Sequence, residues 1–276
     1  MTTKAEVKTL RPGGDPDGMD PDESEEGPAQ PEEDDHDGRW RGFVAEAATP
    51  PPDESADGMP ARLCAACVRL LPVAGGSLSL TGGARRSLVT LSASDDVAAQ
   101  LAEIQYTLGE GPWHCATRSG APVAAADLTA GPDTRRWPVF ARHAVEAGAG
   151  SAFSFPMSQG SHVLGTVDFY NAEPSTLEEP DFRLGMRAAD VLCLTLVSLH
   201  RGESPADEQA RLAWWLDAEA NHEEVHRAVG MLMVRLGVDA EEAMTRLRAR
   251  AFSLGRTVTE VAADVTGRRD DFRAGE

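Results

Sequence analysis

Hydrophobic residues recur at helical spacing soon after residue 60 of the chain. The segment "ARLCAACVRLL" places Leu63, Cys67, Leu70 and Leu71 on one face when it is wound as a helix. Two short segments flanked by turn residues follow it, and they predict strands, "GSLSLTGG" and "RSLVTLSAS". A helix and a strand pair are therefore expected at the start of the folded part.

Helical and strand-like segments alternate from there to residue 200. Helices are predicted over "DDVAAQLAEIQ", over "RRWPVFARHAVEAG" up to Gly148, and over "EEPDFRLGMRAADVLCLTLVSLH". Strands are predicted over "APVAAADL", "GSAFSFPMS" and "HVLGTVDFYN". The order helix, strand pair, helices, strands and helix predicts an α+β domain on an antiparallel sheet.

A break at Pro205 separates this domain from three further predicted helices. The first runs from about residue 207 to residue 236 and carries two apolar faces. Its early face indicates pairing with another helix, and its later face indicates packing in a bundle. The early face consists of Leu212, Trp215 and Leu216, and the later face of Val225, Val229, Leu232 and Leu236.

The second and third helices of this small bundle have clear end signals. Asp239 and Glu242 have capping-box spacing at the start of the second helix, and Gly255 marks its end. Thr257 and Glu260 form a second such box. The third helix is expected to turn four side chains inward, namely Val258, Val261, Ala262 and Val265.

Charge changes this picture mainly at the N-terminus. Of the net charge of −19, residues 1–57 supply −12, from 17 acidic and 5 basic side chains. This segment has too little apolar surface to offset the entropy of ordering, so we expect an acidic, disordered tail. No secretory signal or membrane span is visible, and four cysteines do not indicate a disulfide framework, so we expect a cytoplasmic protein.

One run of the acidic chain is purely basic. Residues 243–259 carry four arginines and no acid. On a helix, Arg246 and Arg250 border the face formed by Ala243, Met244, Leu247, Ala251 and Leu254. Arg248 lies on the other border, beside Phe252. Guanidinium groups next to an aromatic ring suit RNA phosphates and unpaired bases.

A plainer interpretation of the basic helix stays open. Arg246 has the spacing for an ordinary surface pair with Glu242, and Phe252 is also compatible with the core. A helix with four arginines is more often a solvated face than a nucleic-acid surface. The candidate RNA-binding residues are Arg246, Arg248, Arg250, Phe252 and Arg256.

The turn "GEGPWHC" supplies the candidates for a ligand pocket. Turns rich in glycine and proline often line pockets, which makes Trp113, His114 and Cys115 candidate pocket residues. The alternative is that Trp113 fills the core. Cys64 and Cys67 lie mid-helix without a second ligand pair, so they predict a buried reduced pair. No catalytic residue, metal site or cofactor is predicted, since the common catalytic motifs are missing.

Two segments of the chain resemble known families. The run "QYTLGEGPWHCATRSGAPVAAADL", preceded by "LLPVAGGSLSL" and followed by "GTVDFYN", resembles the GAF sensory domain of actinobacterial regulators. The resemblance covers roughly residues 60–200. It implies a central antiparallel sheet with helices behind it and a pocket for a small ligand in front.

The second resemblance covers about residues 208–266. The run "HRAVGMLMVRLGVDAEEAMTRLRARAFSLGRTVTEVAADV" is similar to the ANTAR module, a three-helix antiterminator domain that binds paired RNA hairpins as a dimer. The chain departs from the pattern at Val229, where many members carry lysine. The four segments are then a tail (1–57), a GAF-like domain (58–204), an ANTAR-like domain (205–268) and a C-terminal tail (269–276).

Together the resemblances imply a signal-responsive, RNA-binding antitermination regulator. The expected partners are hairpin RNA in a transcript leader, a second copy of the chain, and a small molecule or protein at the GAF-like domain; no membrane and no enzymatic activity are expected. Two alternatives remain. Three short helices also describe helix-turn-helix DNA-binding modules, and some GAF-fold proteins are thiol-dependent reductases.

Overall fold

The computed structural model describes residues 31–49, 58–82, 87–200, 223–270 and 272. Its strands are β1 (Gly75–Gly82), β2 (Ser87–Ala93), β3 (Val123–Ala125), β4 (Ser151–Gln159) and β5 (His162–Asn171). Its helices up to residue 200 are α1 (Pro31–Ala48), α2 (Gly58–Leu70), α3 (Asp96–Leu108), α4 (Pro112–Ser119), α5 (Gly131–Arg136), α6 (Pro138–Ala147) and α7 (Glu179–His200). The helices that follow are α8 (described over 223–236), α9 (Ala240–Leu254) and α10 (Val258–Thr266).

The five strands form one sheet in the order β2-β1-β5-β4-β3. Every neighbouring pair is antiparallel, and β5 pairs with both β1 and β4. The pairing places Ser154 of β4 opposite Asp168 of β5, and Ser77 of β1 opposite the same aspartate. The predicted fold, an α+β domain on an antiparallel sheet followed by a small helical bundle, is confirmed.

Helices cover both faces of the sheet and form what we call the sheet domain. Helices α2 and α7 build one core with β4 and β5, around Phe155, Phe169 and Leu192. Helices α3, α4 and α6 build another on the opposite side, around Trp137, Phe140 and Ala116. Apolar residues on one face of each helix account for this layering, because each stripe is buried against the sheet.

The acidic N-terminal segment is not wholly unstructured. Residues 31–48 form α1, which packs against α2 and α7, so the prediction of disorder throughout 1–57 is wrong for this part. Trp40, Phe43 and Ala47 lie at helical spacing, and Phe43 is only 3% exposed. The high acid content of the segment concealed this short apolar stripe.

The run "RRWPVFARHAVEAG" forms two helices rather than the one expected. Helix α5 ends before Trp137, and α6 begins with Pro138. The residue before a proline is pushed out of the helical conformation, and Trp137 has φ −137° and ψ 71°. Gly148, in a left-handed conformation, ends α6 as predicted.

Helices α8, α9 and α10 form what we call the helical domain. Asp239 caps α9 by accepting from the Glu242 amide, and Thr257 with Glu260 forms a complete capping box on α10. The four inward positions predicted for α10 are fully buried. Leu254, expected in the buried face of α9, is instead exposed, because it lies in the last turn before Gly255. The predicted pairing face at Leu212, Trp215 and Leu216 lies outside the described residues.

Candidate RNA-binding surface and interdomain cleft

The connection between α3 and α4 determines the direction in which α4 begins. Gly109 ends α3 with φ 68°, and Gly111 has φ 130°. A Cβ at Gly111 would lie 2.4 Å from Oε1 of Gln105, which itself accepts from the Trp113 amide. Both glycines are therefore required by backbone conformation or by close packing. The consequence is that Trp113 and His114 point towards α3 and the helical domain.

A small cavity lies inside the sheet domain, between the middle strands and helices α3, α4 and α6. Its volume is about 20 Å³, and its wall includes Ser77, Gln105, Phe140 and Asp168. A space of this size holds about one water molecule. No cysteine is among the described residues that form the wall of this cavity.

Among the described residues that form the wall of this cavity, Asp168 is the one acidic residue. Burial raises the pKa of its carboxyl to about 6, while the hydroxyls of Ser154 and Thr166 oppose that shift. The Thr166 hydroxyl donates to Oδ2 at 2.6 Å. Oδ1 has no hydrogen-bond partner among the described residues. An acid inside the apolar strand "GTVDFYN" was a visible signal that the sequence analysis did not use.

The sheet domain and the helical domain share a hydrophobic core. Ala102, Tyr106 and Trp113, from α3 and α4, belong to the same buried cluster as the side chains at the centre of the helical bundle. Trp113 is 1% exposed. The members from the helical domain are Val225, Ala228, Val229, Leu232, Ala243, Leu247, Ala251, Val258, Val261, Ala262 and Val265.

Three polar contacts join the same two surfaces. The Arg248 Nε donates to the Tyr106 carbonyl at 3.2 Å. The Val258 amide, at the start of α10, donates to the Thr107 hydroxyl at 3.1 Å. The Thr259 hydroxyl donates to Oε1 of Glu103 at 2.9 Å. Helix α3 therefore supplies acceptors to both α9 and α10. Two of the groups in these contacts, the Tyr106 carbonyl and the Val258 amide, are helix-end groups that would otherwise lack partners.

A cleft of about 890 Å³ opens beside this contact. Its floor is formed by Tyr106, Trp113 and His114 of the sheet domain, and its opposite wall by α8 and α9 of the helical domain. Trp113 and His114, two of the three candidate pocket residues, thus line this cleft rather than the internal cavity. Cys115 is partly buried against the core around Trp137 instead.

His114 is held neutral in this position. Burial lowers the pKa of its imidazole to about 4, the hydrogen bond to the Gln105 carbonyl opposes that shift, and the positive charges of Arg248 and Arg118 lower it further. Its Nε2 lies 2.9 Å from the Gln105 carbonyl oxygen, so the neutral ring donates from this nitrogen.

The candidate RNA-binding arginines differ in their surroundings. Arg246 pairs with Glu242 at 2.8 Å and Arg250 with Asp270 at 3.0 Å, and both side chains are nearly half exposed. Arg256 pairs with Asp264 at 2.6 Å. Arg248 is largely buried in the interdomain contact, with its guanidinium 5.9 Å from the centre of the Tyr106 ring.

Two further positions bear on the candidate surface. Phe252 is 52% exposed, so its ring is not part of the core. Val229, where the family resemblance leads one to expect lysine, is 1% exposed and lies in the shared core. An apolar side chain at this position suits a surface that is covered by the neighbouring domain.

The thiols and the acidic groups form no obvious reactive centre. Burial raises the pKa of Cys64 to about 11 and raises that of Cys67 well above its usual range. The four cysteines are unpaired, and Cys64 donates to the Gly76 carbonyl at 3.3 Å. In the described part of the chain no group of three or more histidine, cysteine or acidic side chains is arranged to hold a metal ion. No described helix is long and apolar enough to cross a bilayer.

Comparison with family models assigns both domains. The GAF domain model matches residues 53–193, which is half of the chain, and the ANTAR domain model matches residues 217–265. The chain belongs to the GAF domain family. It carries an ANTAR domain behind its GAF domain, and this two-domain architecture is a regulatory one. The sheet domain is thus the GAF domain, and the helical domain is the ANTAR domain.

Solved structures share the GAF fold at low identity. The GAF domain of a phosphoenolpyruvate-protein phosphotransferase from Coxiella burnetii is 16% identical, with a TM-score of 0.46, over 60% of this chain and 95% of that one. Free methionine-R-sulfoxide reductase from Neisseria meningitidis is 16% identical, with a TM-score of 0.44, over 66% and 95%. These likenesses carry no inference about ligand or activity. No curated protein matches the chain.

Proposed function

We propose that this protein is a signal-responsive regulator of transcription antitermination that binds RNA. The GAF domain senses a small ligand or a protein partner, and the ANTAR domain binds RNA hairpins in a transcript leader. The protein acts in the cytoplasm as a homodimer and is not an enzyme. The observation that carries this proposal is the ANTAR match over residues 217–265, directly behind a GAF match over residues 53–193.

The surface of α9 supports RNA as the ligand. Arg246 and Arg250 are one turn apart with side chains nearly half exposed, and the exposed ring of Phe252 lies on the other border of the same helix. Their acid partners do not prevent phosphate binding, because exposed ion pairs contribute only about 0.2–1 kcal/mol. A phosphate can replace each carboxylate, and an unpaired base can stack on Phe252.

The buried Arg248 supports regulation of that binding. Its guanidinium faces α3 of the GAF domain, so the docked arrangement withholds one arginine of the candidate surface from RNA. A signal that shifts α3 or α4 alters this contact directly and changes the number of arginines available. Chain connectivity also favours a route through α7 into the ANTAR domain, but residues 201–222, which would carry it, lie outside the described residues.

The chemistry of the cysteines supports the non-enzymatic interpretation. A reductase mechanism needs thiols that converge on a pocket, and it needs thiolates near neutral pH. Cys64 and Cys67 have raised pKa values and lie on the α2 side of the sheet, whereas the internal cavity lies on the α3 side.

RNA binding by the full chain is tested by a gel-shift comparison of hairpin RNA with duplex DNA at one fixed salt concentration. The double variant Arg246→Glu with Arg250→Glu should weaken hairpin binding by about 100-fold or more, since each charged contact contributes about tenfold or more. The matched control is Arg142→Glu with Arg183→Glu, which makes the same charge change on exposed, acid-paired arginines of the GAF domain.

The control separates a local surface from a general charge effect. Equal weakening by both double variants would mean that net charge alone governs binding, and the α9 surface would be abandoned. Tighter binding to duplex DNA than to hairpin RNA would instead assign the bundle to DNA, as a helix-turn-helix module.

A further inference from the structure

Arg248 is a partly buried charge that has no counter-ion among the described residues. The other candidate arginines of the ANTAR domain each have a carboxylate within 3.0 Å. Arg248 uses only Nε, towards the Tyr106 carbonyl, and its Nη1 and Nη2 groups make no hydrogen bond with any described residue. A guanidinium in partial burial is costly unless an anion or several acceptors surround it. The dipole of α3 offsets this cost only in part.

A second arginine that has no acid partner in the described part of the chain lines the same cleft. Arg118, on α4, contacts only the Cys115 sulfur, at 3.7 Å, among the groups that the structure describes. Arg118 and Arg248 lie on opposite domains, and both are close enough to His114 to lower its pKa. His114 is therefore neutral near pH 7, and it contributes no charge to the cleft.

The indole of Trp113 lines the cleft, and its N–H is buried beneath the surface. Trp113 is almost fully buried, and its Nε1–H finds no acceptor within the described part of the chain. Leaving such a donor without a partner costs about 1–3 kcal/mol. Two guanidinium groups, neither paired with a carboxylate among the described residues, thus line one cleft of about 890 Å³.

The remaining walls bear on the size of the ligand. Asp239 and Glu241, in the first turn of α9, also line the cleft. Asp239 is occupied as the cap of α9, but its charge and that of Glu241 repel a long polyanion that lies across the cleft. A compact anion that reaches the two arginines avoids this acidic edge.

We propose that the interdomain cleft is an effector site for a small anionic metabolite, phosphorylated or polycarboxylated, held by Arg118 of the GAF domain and Arg248 of the ANTAR domain. The site is separate from the internal cavity of the GAF domain. A ligand bound by groups of both domains stabilises the docked arrangement by mass action. If the proposed RNA binding holds, the same anion weakens it, because Arg248 then stays withheld.

The test is calorimetric titration of the full chain with inorganic pyrophosphate at constant ionic strength. We expect saturable binding, weakened about tenfold or more by Arg118→Gln and by Arg248→Gln. The double variant should lose less than the product of the two single losses, since both residues hold one ion. Arg183→Gln is the matched control, because Arg183 is an exposed, acid-paired arginine of the GAF domain outside the cleft, and it should change the affinity by less than about twofold.

Several outcomes would overturn this proposal. They are no binding at millimolar pyrophosphate, unchanged affinity in both single variants, or an equal loss in Arg183→Gln. Because Arg248→Gln also removes the bond to Tyr106, its folding is checked by thermal unfolding. The exposed Arg118 lies outside that contact and carries the test alone if Arg248→Gln is unfolded. If hairpin binding depends on Arg118 and pyrophosphate does not bind, the cleft is assigned to RNA instead. The titration itself contains no RNA, so its result does not depend on the proposed function.

Discussion

The two domains fill their cores in different ways. The GAF domain buries its own aromatic side chains, such as Phe140, Phe153 and Phe155, on both sides of its sheet. Every fully buried side chain that the described ANTAR domain contributes is alanine, valine or leucine, and the large buried rings of that cluster are Tyr106 and Trp113 of the GAF domain. A very small bundle of small side chains buries little apolar surface by itself. The difference suggests that the ANTAR domain depends on its neighbour for stability.

The largest expected effect comes from removing the ring shared by both cores. Trp113→Ala should lower the free energy of unfolding by about 3–5 kcal/mol, because a large buried ring is lost. Hydrogen exchange of residues 223–270 should rise in this variant. Trp137→Ala, which empties a core belonging to the GAF domain alone, is the matched comparison. If both variants loosen the ANTAR helices equally, the shared core is not what stabilises them.

The second effect is a pH dependence of stability that arises from His114 at the interface. Because the pKa of His114 falls from 6.5 to about 4, the folded state binds fewer protons than the unfolded state between these pH values. Stability present above pH 6.5 is therefore lost as the pH falls towards 4, by up to about 3 kcal/mol. Urea unfolding of wild type and His114→Gln across this range measures the loss. Parallel pH profiles for the two proteins would contradict it.

The third effect has the opposite sign and lies inside the GAF domain. The pKa of Asp168 is raised from 3.8 to about 6, so the stability this carboxyl provides at low pH is lost as the pH rises through that range. Asp168→Asn removes the buried charge and should stabilise the protein by about 1–3 kcal/mol at pH 7. Urea midpoints at pH 7 and pH 4 check this. A gain of equal size at both values would mean that ionisation is not the cause.

The smallest effects compare a contact within the ANTAR domain with a contact across the interface. Thr257→Ala removes the capping box of α10 and should cost about 1 kcal/mol. Thr259→Val removes only the hydrogen bond to Glu103 and should cost about as much if the domains stay docked in solution. Thermal unfolding measures both. An unchanged midpoint in Thr259→Val alone would indicate that the interface opens before the bundle unfolds.

Local signals predicted much of the fold. The end of α9 at Gly255, the capping box of α10 and its four inward side chains follow from residues close in sequence, and all are present. Helix α1 was not predicted, because composition averaged over 57 residues hid the apolar stripe around Phe43. The break at Trp137 was readable from Pro138 but was not used.

The candidate site was predicted less completely than the fold. Helical winding placed Arg248 beside Phe252 on one border of α9, but it gave no indication that one of these side chains is covered and the other exposed. Arg118, Glu103 and Thr107 were not predicted as site residues, although Thr107 and Arg118 lie within the run that resembles the GAF domain. Their roles come from surfaces far apart in the sequence.

The amino-acid sequence alone determined the two families, the helix ends and the basic character of α9, because capping, periodicity and motif spacing are properties of neighbouring residues. Only the tertiary structure decided which arginine is buried away from solvent and which pocket the turn "GEGPWHC" lines. These outcomes depend on how α3 and α4 pack against α9 and α10. There, desolvation and the lack of a carboxylate partner among the described residues distinguish Arg248 from the other candidate arginines.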